Sequence, residues 1–277
     1  MLVLAVESAT EAAGVALADE AGVLSSATTS RGRRHAESVA PSVDFVCRRA
    51  GVSLRDVEGI CVDVGPGLFT GLRVGISTAK ALGFALGVPV ASATSLEVLA
   101  EALSAWGADP GSLLVPVVDA KRAEVFSARF RSIATSGGPR STIGAVHGGP
   151  LQIGPVQVGP VQVGEVQVGA VQVGEDVLSS PEALARSLSD AGERIVLAGD
   201  GALRYGHLLG AVRGATLAQG APASPPVEVL ARMGVVRLAA GLGIDSSQIL
   251  PRYLREADAR INWEQRLMPQ RASRAGS

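Results

Sequence analysis

Residues 61–75 read CVDVGPGLFTGLRVG, in which three closely spaced glycines follow an apolar run. A P-loop requires a lysine and a hydroxyl residue directly after its last glycine, but Leu72 and Arg73 stand there. The spacing G-x-G-x-x-x-G also departs by one residue from the dinucleotide fingerprint. The glycines therefore favour close approach of protein to protein, although a helix N-terminus after such a loop remains physically able to bind phosphate.

The helix predicted after this loop, over residues 71–86 with Thr70 as its N-cap, has an unusual composition. Small residues recur on it every four positions, and this small-residue stripe comprises Gly71, Gly75, Ala79 and Gly83. An interior glycine costs about 1 kcal/mol relative to alanine in a helix, so packing must recover that stability. Either the protein's own sheet or a partner helix fits such a stripe, and the residues alone leave both alternatives open.

Short β-rich runs separated by turn residues open the chain, followed by a change to helical periodicity. Strands are predicted at residues 2–6, 14–18 and 23–28, as an antiparallel meander. Apolar residues then recur at helical spacing over residues 36–50. Phe45 lies on nearly the opposite side of this helix from the apolar stripe, as a lone exposed aromatic or as part of a partner surface.

A plan of strands followed by alternating helices and strands occurs twice along the chain. Further strands are predicted at residues 59–64, 88–91, 113–119, 124–130 and 195–198, and further helices at 95–103, 181–189, 202–209 and 227–240. This repetition indicates two related α/β lobes. We divide them into residues 1–107 and 108–277, with an insertion at about 134–176 and a flexible tail from about residue 262.

A five-residue unit repeats almost perfectly in LQIGPVQVGPVQVGEVQVGAVQVGED, residues 151–176. Fixed periods are typical of solenoids, but this array has few units and no large residue to fill a core. Each VQV is compatible with a three-residue strand. We interpret the array as a flexible or weakly β insertion in a surface loop, with no chemistry in it.

Composition and charge narrow the functional class. Lys plus Arg number 25 against 26 Asp plus Glu, a net charge of −1, so no overall field draws the chain to nucleic acid or to a membrane surface. No apolar stretch is long enough to span a bilayer, and the N-terminal run, interrupted by Glu7, is typical of a strand rather than a signal peptide. Cys47 and Cys61 are predicted to be reduced core residues of a cytoplasmic protein.

Five segments together resemble the TsaB family, the dimerisation subunits of the bacterial complex that makes threonylcarbamoyladenosine on tRNA. The segments, in the family's order, are LAVESATEAAGVAL, RRHAESVAP, GPGLFTGLRVG, VVDAKRAEVFSARF and ILPRYLRE. The resemblance spans the chain apart from the repeats, a loop at residues 214–226 and the tail. It implies an α/β fold of the ASKHA type (actin-like and Hsp70-like), with two duplicated lobes that each contain a mixed sheet flanked by helices.

The resemblance also implies a noncatalytic subunit that binds TsaD, the transferase that modifies the adenosine beside the anticodon. The family's subunits pack through helices of their first lobes, which correspond here to residues 36–50 and 71–86. The partner-binding residues that this implies are Phe45, Gly71, Arg73, Gly75, Ala79 and Gly83. TsaC would supply threonylcarbamoyl-AMP, TsaE would act as the ATPase, tRNA would be reached through the complex, and a homodimer of the free chain is a further expectation.

At two places the sequence departs from its catalytic relatives, and both departures argue against an enzymatic activity of this chain. TsaD holds a metal through an H-x-x-x-H pair, whereas the aligned positions here are Ser95 and Leu99, and leucine has no lone pair to donate. Ala9 replaces the glycine of the D-x-G-x-T turn that active ASKHA kinases use at phosphate. We therefore expect no metal and no cofactor in the isolated chain, and only weak ATP or ADP contact in the complex, where Asp119 and residues 199–202 stand in for nucleotide-side groups.

Two other functions remain open from the sequence. One is a stand-alone enzyme of the same fold, an ATP-dependent kinase or an M22-type peptidase-like protein. The other is direct tRNA binding through arginine clusters at residues 31–34 and in the tail from Arg252 onward. Acidic residues dilute the tail cluster, and charged runs are usually solvated faces.

Overall fold

The computed structural model describes residues 1–30, 35–106, 108–133, 169–218 and 220–255. Two β-sheets form the framework, and helices lie on both faces of each sheet. Most of the repeat array and the residues after 255 lie outside the described part, so the predictions of a flexible insertion and a flexible tail stay predictions. Within the described part, no helix has the length and hydropathy needed to cross a bilayer.

The first sheet contains the predicted antiparallel meander, extended by two parallel strands. Its strands are β1 (Val3–Glu7), β2 (Ala13–Asp19), β3 (Gly22–Thr29), β4 (Gly59–Asp63) and β5 (Val90–Ala93), in the order β3-β2-β1-β4-β5. β2 runs antiparallel to β1 and β3, whereas β4 runs parallel to β1 and β5. Side chains alternate between the two faces, so Leu4 and Val6 pack on one side while Val3 and Ala5 pack on the other.

Two helices cover the first face, namely α1 (His35–Ala50) and α2 (Phe69–Leu86). Leu68 is the N-cap residue of α2, so the prediction of Thr70 as the N-cap is wrong. The helix begins earlier because the Leu68 N–H donates to the carbonyl of Ala9 at 2.6 Å, which fixes the chain before Thr70 is reached. α2 ends at Gly87, whose φ of 67° is the left-handed conformation that glycine adopts without strain.

The opposite face is covered by α3 (Ser95–Ala105) and by the distant α7 (Val227–Ala239). α7 comes close to the sheet at Gly234, where a Cβ atom would lie 2.5 Å from the Cβ of Cys61. The predicted lobe division at residue 107 stays a prediction, but the structure adds that this late helix packs on the early sheet. Cys47 and Cys61 are buried and unpaired as predicted, and burial raises the pKa of Cys61 to about 12.

The second sheet is built from the later strands. They are β6 (Leu113–Lys121), β7 (Glu124–Ser127), β8 (Phe130–Ser132), β9 (Ala170–Gln172), β10 (Val177–Ser179), β11 (Ile195–Ala198) and β12 (Ala215–Leu217). The strand predicted over residues 124–130 is divided, because β7 pairs with the end of β6 whereas β8 pairs with its beginning. α3 covers one face, and the other carries α4 (Pro181–Ser189), α5 (Asp200–Arg204) and α6 (Gly206–Leu209), the last two replacing one predicted helix.

Candidate functional site

The small-residue stripe of α2 faces the chain's own first sheet. Gly71, Gly75, Ala79 and Gly83 are all buried within the single chain. The prediction that these four residues form a partner-binding surface is therefore corrected: the sheet and its flanking turns already occupy the space beside them. Of the two alternatives that the sequence left open, the structure shows packing against the protein's own sheet.

The contacts of two of these glycines give the physical reason. A Cβ atom on Gly75 would lie 2.4 Å from Oγ of Ser8, in the turn after β1. A Cβ atom on Gly83 would lie 2.7 Å from Cγ2 of Val90 and 2.9 Å from Cβ of Ser246. Absence of side chains thus allows α2 to lie directly on β1 and β5, and the hydroxyl of Ser8 donates to the Gly71 carbonyl at 2.9 Å.

The outward face of α2 has the opposite character. Phe84 is 86% exposed, the most exposed of the large apolar side chains in the described residues. Nearer the start of the helix, the guanidinium of Arg73 stacks on the ring of Phe69 at 3.8 Å, and Phe69 in turn contacts the ring of Tyr253. Arg73 thus lies on this outward face, as a partner-binding residue must.

Phe45 lies on α1, the neighbouring helix, and is 44% exposed. Val43, Val46 and Cys47 on the same helix are buried, which confirms the predicted orientation of Phe45 away from the core. We call the exposed side chains of Phe45, Arg73 and Phe84 the outer helix face. Aromatic residues and arginine are enriched at protein interfaces, so this face is a candidate interaction surface.

The glycine loop before α2 packs closely against backbone carbonyl groups of the protein itself. A Cβ atom on Gly67 would lie 2.1 Å from the carbonyl oxygen of Ala9, and one on Gly65 would lie 3.2 Å from the carbonyl oxygen of Arg252. These glycines therefore admit the turn after β1 and the C-terminal segment. This close packing agrees with the protein-to-protein interpretation of the loop.

Two acidic side chains lie under this loop, at the ends of the parallel strands β1 and β4. Glu7 is 1% exposed and Asp63 is 2% exposed. One oxygen of Glu7 accepts from the N–H of Ala9 at 3.0 Å, and one oxygen of Asp63 accepts from Gly65 N–H at 2.7 Å and from Ser95 Oγ at 2.8 Å. The other oxygens, Oε2 of Glu7 and Oδ2 of Asp63, are buried and have no hydrogen-bond partner.

Burial favours the protonated state of this carboxyl pair. Burial, reinforced by the charge of Asp63, raises the pKa of Glu7 well above its usual range. Burial also raises the pKa of Asp63 to about 6, although its interaction with Glu7 opposes this rise. These directions favour Glu7 as the protonated member. Each carboxyl group also fixes the backbone that follows its own strand.

A cleft between the two sheets lies beside the turn after β1, and its lining includes Glu11, Asp119, Lys121 and Asp200. The lining residues leave almost no space for a bound molecule. One ion pair crosses the cleft, since Nζ of Lys121 lies 2.9 Å from Glu11. On the side of the second sheet, Lys121 lies 3.0 Å from Asp119, and Arg204 contacts Asp119 at 2.9 Å.

The groups that the sequence assigned to the nucleotide side are also engaged with each other. Oδ1 of Asp200 accepts from the N–H of Asp119 at 2.9 Å, and a Cβ atom on Gly199 would lie 2.2 Å from the carbonyl oxygen of Val117. Burial raises the pKa of Asp200. Burial alone would lower the pKa of Lys121, but its hydrogen bonds to Glu11 and Asp119 outweigh that effect and raise it.

Comparison with known proteins shows which proteins this chain is similar to. Residues 22–143 match a family model described as TsaD, tRNA N6-adenosine threonylcarbamoyltransferase. The tRNA threonylcarbamoyladenosine biosynthesis protein TsaB of Bacillus subtilis is 30% identical over 131 residues, covering 47% of this chain and 56% of that protein. Its Escherichia coli counterpart is 30% identical over 131 residues, covering 47% and 55%.

Solved structures extend the similarity to almost the whole chain. A Pseudomonas aeruginosa structure, described as an uncharacterized protein with similarity to the peptidase YeaZ, superposes with a TM-score of 0.68 at 27% identity, covering 92% of this chain and 99% of that one. Over this length the chain is similar to proteins named TsaB or YeaZ. The predicted α/β fold, with mixed sheets flanked by helices, is confirmed. By sequence, the chain spans about half the length of the curated TsaB relatives it matches.

Two further features bear on the remaining predictions. Ser95 and Leu99, which the sequence analysis aligned with the TsaD metal pair, are completely buried, and Ser95 donates to Asp63. Among the arginines proposed to contact tRNA, those at residues 31–34 lie outside the described residues. Arg252 forms an ion pair with Asp176 at 2.7 Å, and Arg255 forms one with Glu124, so these two hold the C-terminal segment to the second sheet.

The sequence analysis did not identify Phe84 or the Phe69–Tyr253 contact. A signal for Phe84 was present, because the residue after Gly83 lies about 100° further round the helix, away from the small-residue stripe. The Phe69–Tyr253 contact joins residues far apart in sequence, and no local pattern carries that information.

Proposed function

We propose that this chain acts in tRNA threonylcarbamoyladenosine biosynthesis as a noncatalytic subunit that binds and stabilises a TsaD-type transferase. The names of the TsaB relatives support this pathway, and the match to a TsaD family model supports a partner of related fold. The observation that carries the proposal is the outer helix face, on which Phe84 is 86% exposed, Phe45 is 44% exposed and Arg73 is exposed.

The outer helix face has the chemistry of an interface. Burying an exposed aromatic ring removes a large apolar area from water, and a specific interface buries about 1,600 Å² in total. Arg73 adds a guanidinium already oriented by its stack on Phe69 at 3.8 Å, so little side-chain entropy is lost when it pairs with a carboxylate. The small-residue stripe contributes indirectly, because it fixes the distance of α2 from the sheet.

The interior of the cleft supports a noncatalytic role. Asp119 is 5% exposed and already carries two cationic partners, Lys121 and Arg204. A nucleotide with its metal would have to break these ion pairs and enlarge the cleft. We therefore propose that the isolated chain works without a cofactor, and that any ATP or ADP contact arises only in the complex.

The remaining partners follow from the same proposal. A TsaC-type enzyme would supply threonylcarbamoyl-AMP, a TsaE-type ATPase would join the complex, and tRNA would be bound through the complex as a whole. The free thiols of Cys47 and Cys61 fit the reducing cytoplasm as the compartment. The same outer helix face would serve a homodimer when TsaD is absent.

The test is size-exclusion coelution with the TsaD-type protein of the same organism. The double variant Arg73→Glu/Phe84→Glu should lose coelution while keeping the wild-type unfolding midpoint, since both side chains are exposed. Leu203→Glu is the matched control, because Leu203 is 59% exposed on α5 of the second sheet and should leave coelution intact. Unchanged coelution of the double variant would contradict the proposed surface.

A second candidate is an enzyme in its own right. It is favoured by the description of the Pseudomonas aeruginosa relative as similar to a peptidase and by two carboxylates, Asp119 and Asp200, at the cleft. Calorimetric titration of the isolated chain with ATP separates the two functions. Tight binding with turnover supports the enzyme, whereas no heat of binding supports the scaffold.

A further inference from the structure

The last unit of the repeat array forms strand β9 at the edge of the second sheet. β9 pairs antiparallel with β8, so that Ala170 faces Ser132 and Gln172 faces Phe130. Beyond the strand ends, the N–H of Val173 donates to the carbonyl of Arg129 at 2.8 Å. The backbone of the unit is thus held by a ladder that does not depend on side-chain identity.

The side chains that this unit shares with its copies are exposed. Val171 is 46% exposed and Val173 is 52% exposed. The side chain of Gln172 donates to the carbonyl of Gly174 at 2.8 Å, within the same unit. The sequence VQV therefore contributes little that distinguishes one copy of the repeat from another.

The two residues before VQV are recognised by α3 instead. Gly169 N–H donates to the carboxylate of Glu101 at 3.0 Å, and the hydroxyl of Ser104 donates to the Gly169 carbonyl at 2.6 Å. A Cβ atom on Gly169 would lie 2.5 Å from that hydroxyl oxygen. The methyl group of Ala170 is 9% exposed and lies in the core between α3 and the sheet.

The hydrogen bond from Gly169 compensates for the burial of Glu101. Burial raises the pKa of Glu101, and the hydrogen bond from the Gly169 N–H and the charge of Arg232 lower it again. A partly buried carboxylate that loses an N–H donor retains its desolvation cost without the compensating bond. A residue after the glycine that is too large for its place would move Gly169 away from Glu101, and it is disfavoured for this reason.

The four VQV copies differ in the residue that directly precedes VQV. The residue before VQV is Pro155, Pro160, Glu165 or Ala170, and glycine precedes each of them. The proline ring is larger than the alanine methyl group, which occupies a tightly packed apolar space between α3 and the sheet. Glutamate would bring a second carboxylate beside Glu101 in a largely buried place. Alanine alone among the three residue types is small and apolar enough for this space.

We propose that β8, Glu101 and Ser104 form a strand-docking site whose ligand is an extended Gly-Ala-Val-Gln-Val segment, and that the Gly-Ala step selects which copy of the repeat is bound. The site thereby fixes the register of an array whose VQV units are otherwise identical. It is independent of the proposed function, because it lies on the second sheet and α3 rather than on the outer helix face.

Hydrogen–deuterium exchange of the full-length chain, resolved by peptide, tests this proposal. Ala170→Pro should lower the protection of the amides of Val171 and Val173 about tenfold or more, the usual consequence of losing a buried partner. The double variant Glu165→Ala/Ala170→Pro moves the Gly-Ala step to the preceding copy. Protection should then appear at Val166 and Val168, five residues earlier.

Two further variants keep the test decisive. Ala170→Ser retains a small side chain, and should leave the protection at Val171 and Val173 in place. Glu165→Ala leaves the docked unit itself intact and creates a second Gly-Ala step, so partial protection should appear at Val166 and Val168 even if the proline variants fold poorly. Absence of protection at those two amides in both variants that contain Glu165→Ala would overturn the proposal.

Discussion

The two faces of α2 differ sharply in side-chain size and exposure. The inward face consists of glycine and alanine, pressed so closely onto the first sheet that a Cβ atom on Gly75 would lie 2.4 Å from Ser8. The outward face carries Phe84, which is 86% exposed. The small-residue stripe therefore indicates close packing against another part of the same chain. The bulky exposed residue, in contrast, indicates a surface that is available to a partner.

The largest effect is expected from filling the inward face. Gly75→Leu should lower the free energy of unfolding by about 3 kcal/mol, because overpacking forces a shift of α2 or of the turn at Ser8. Chemical denaturation measures the change. Ser77→Leu, at an exposed position of the same helix, is the matched control and should change stability by about 0.5 kcal/mol or less. Equal effects of the two variants would remove the distinction between the faces.

An intermediate, pH-dependent effect is expected from the carboxyl pair beneath the inward face. The folded pair retains protons that unfolded carboxyl groups release near pH 4, so the folded state binds more protons and its stability falls as the pH rises. For Asp63 this window extends to a folded pKa of about 6, and for Glu7 it extends higher. Glu7→Gln imitates the protonated carboxyl, and should flatten the decline by up to about 1.4 kcal/mol for each pH unit.

Denaturation at about pH 5 and about pH 8 measures this decline. Glu175→Gln is a suitable control, since Glu175 is exposed and its replacement should leave the pH dependence unchanged. Identical pH dependence of Glu7→Gln and wild type would mean that Glu7 does not retain its proton in the folded chain.

The smallest effect on stability is expected at the outward face. Phe84→Ser should change the free energy of unfolding by about 0.5 kcal/mol or less, because phenylalanine and serine have similar helix propensities and the ring is exposed. Thermal unfolding of the dilute chain measures it. A loss of several kcal/mol would show that Phe84 is covered in solution, for example by a second copy, and would make the two faces alike.

Local patterns predicted most of the elements of this fold. The meander over β1–β3 and the helices α1 and α4 follow from periodicity and turn residues within a short window. The return of α7 to the first sheet did not follow, because Val227–Ala239 reads as an apolar helix whichever sheet it covers. The division of β7 from β8 depends likewise on which part of β6 each strand meets.

The candidate site was predicted in part for a similar reason. Periodicity correctly separated Phe45 from the buried side of α1. The spacing of glycine and alanine also predicted the small-residue stripe of α2. Such spacing indicates that another segment packs closely against the helix, but only the tertiary structure shows which segment it is. The raised pKa values of Glu7 and Asp63 arise from two parallel strands that are adjacent in the sheet and more than fifty residues apart in sequence.

The position of α7 has a consequence for biosynthesis. The first sheet is completed on one face by residues 227–239, which are translated long after its own strands. Until they leave the ribosome, Val3, Ala5 and Cys61 have no covering helix from this chain segment. Every gain or loss of a pentapeptide unit changes the time between synthesis of the first sheet and synthesis of α7. Such an in-frame change alters when the first sheet can be covered, but it leaves the sequences of the sheet and of α7 unchanged.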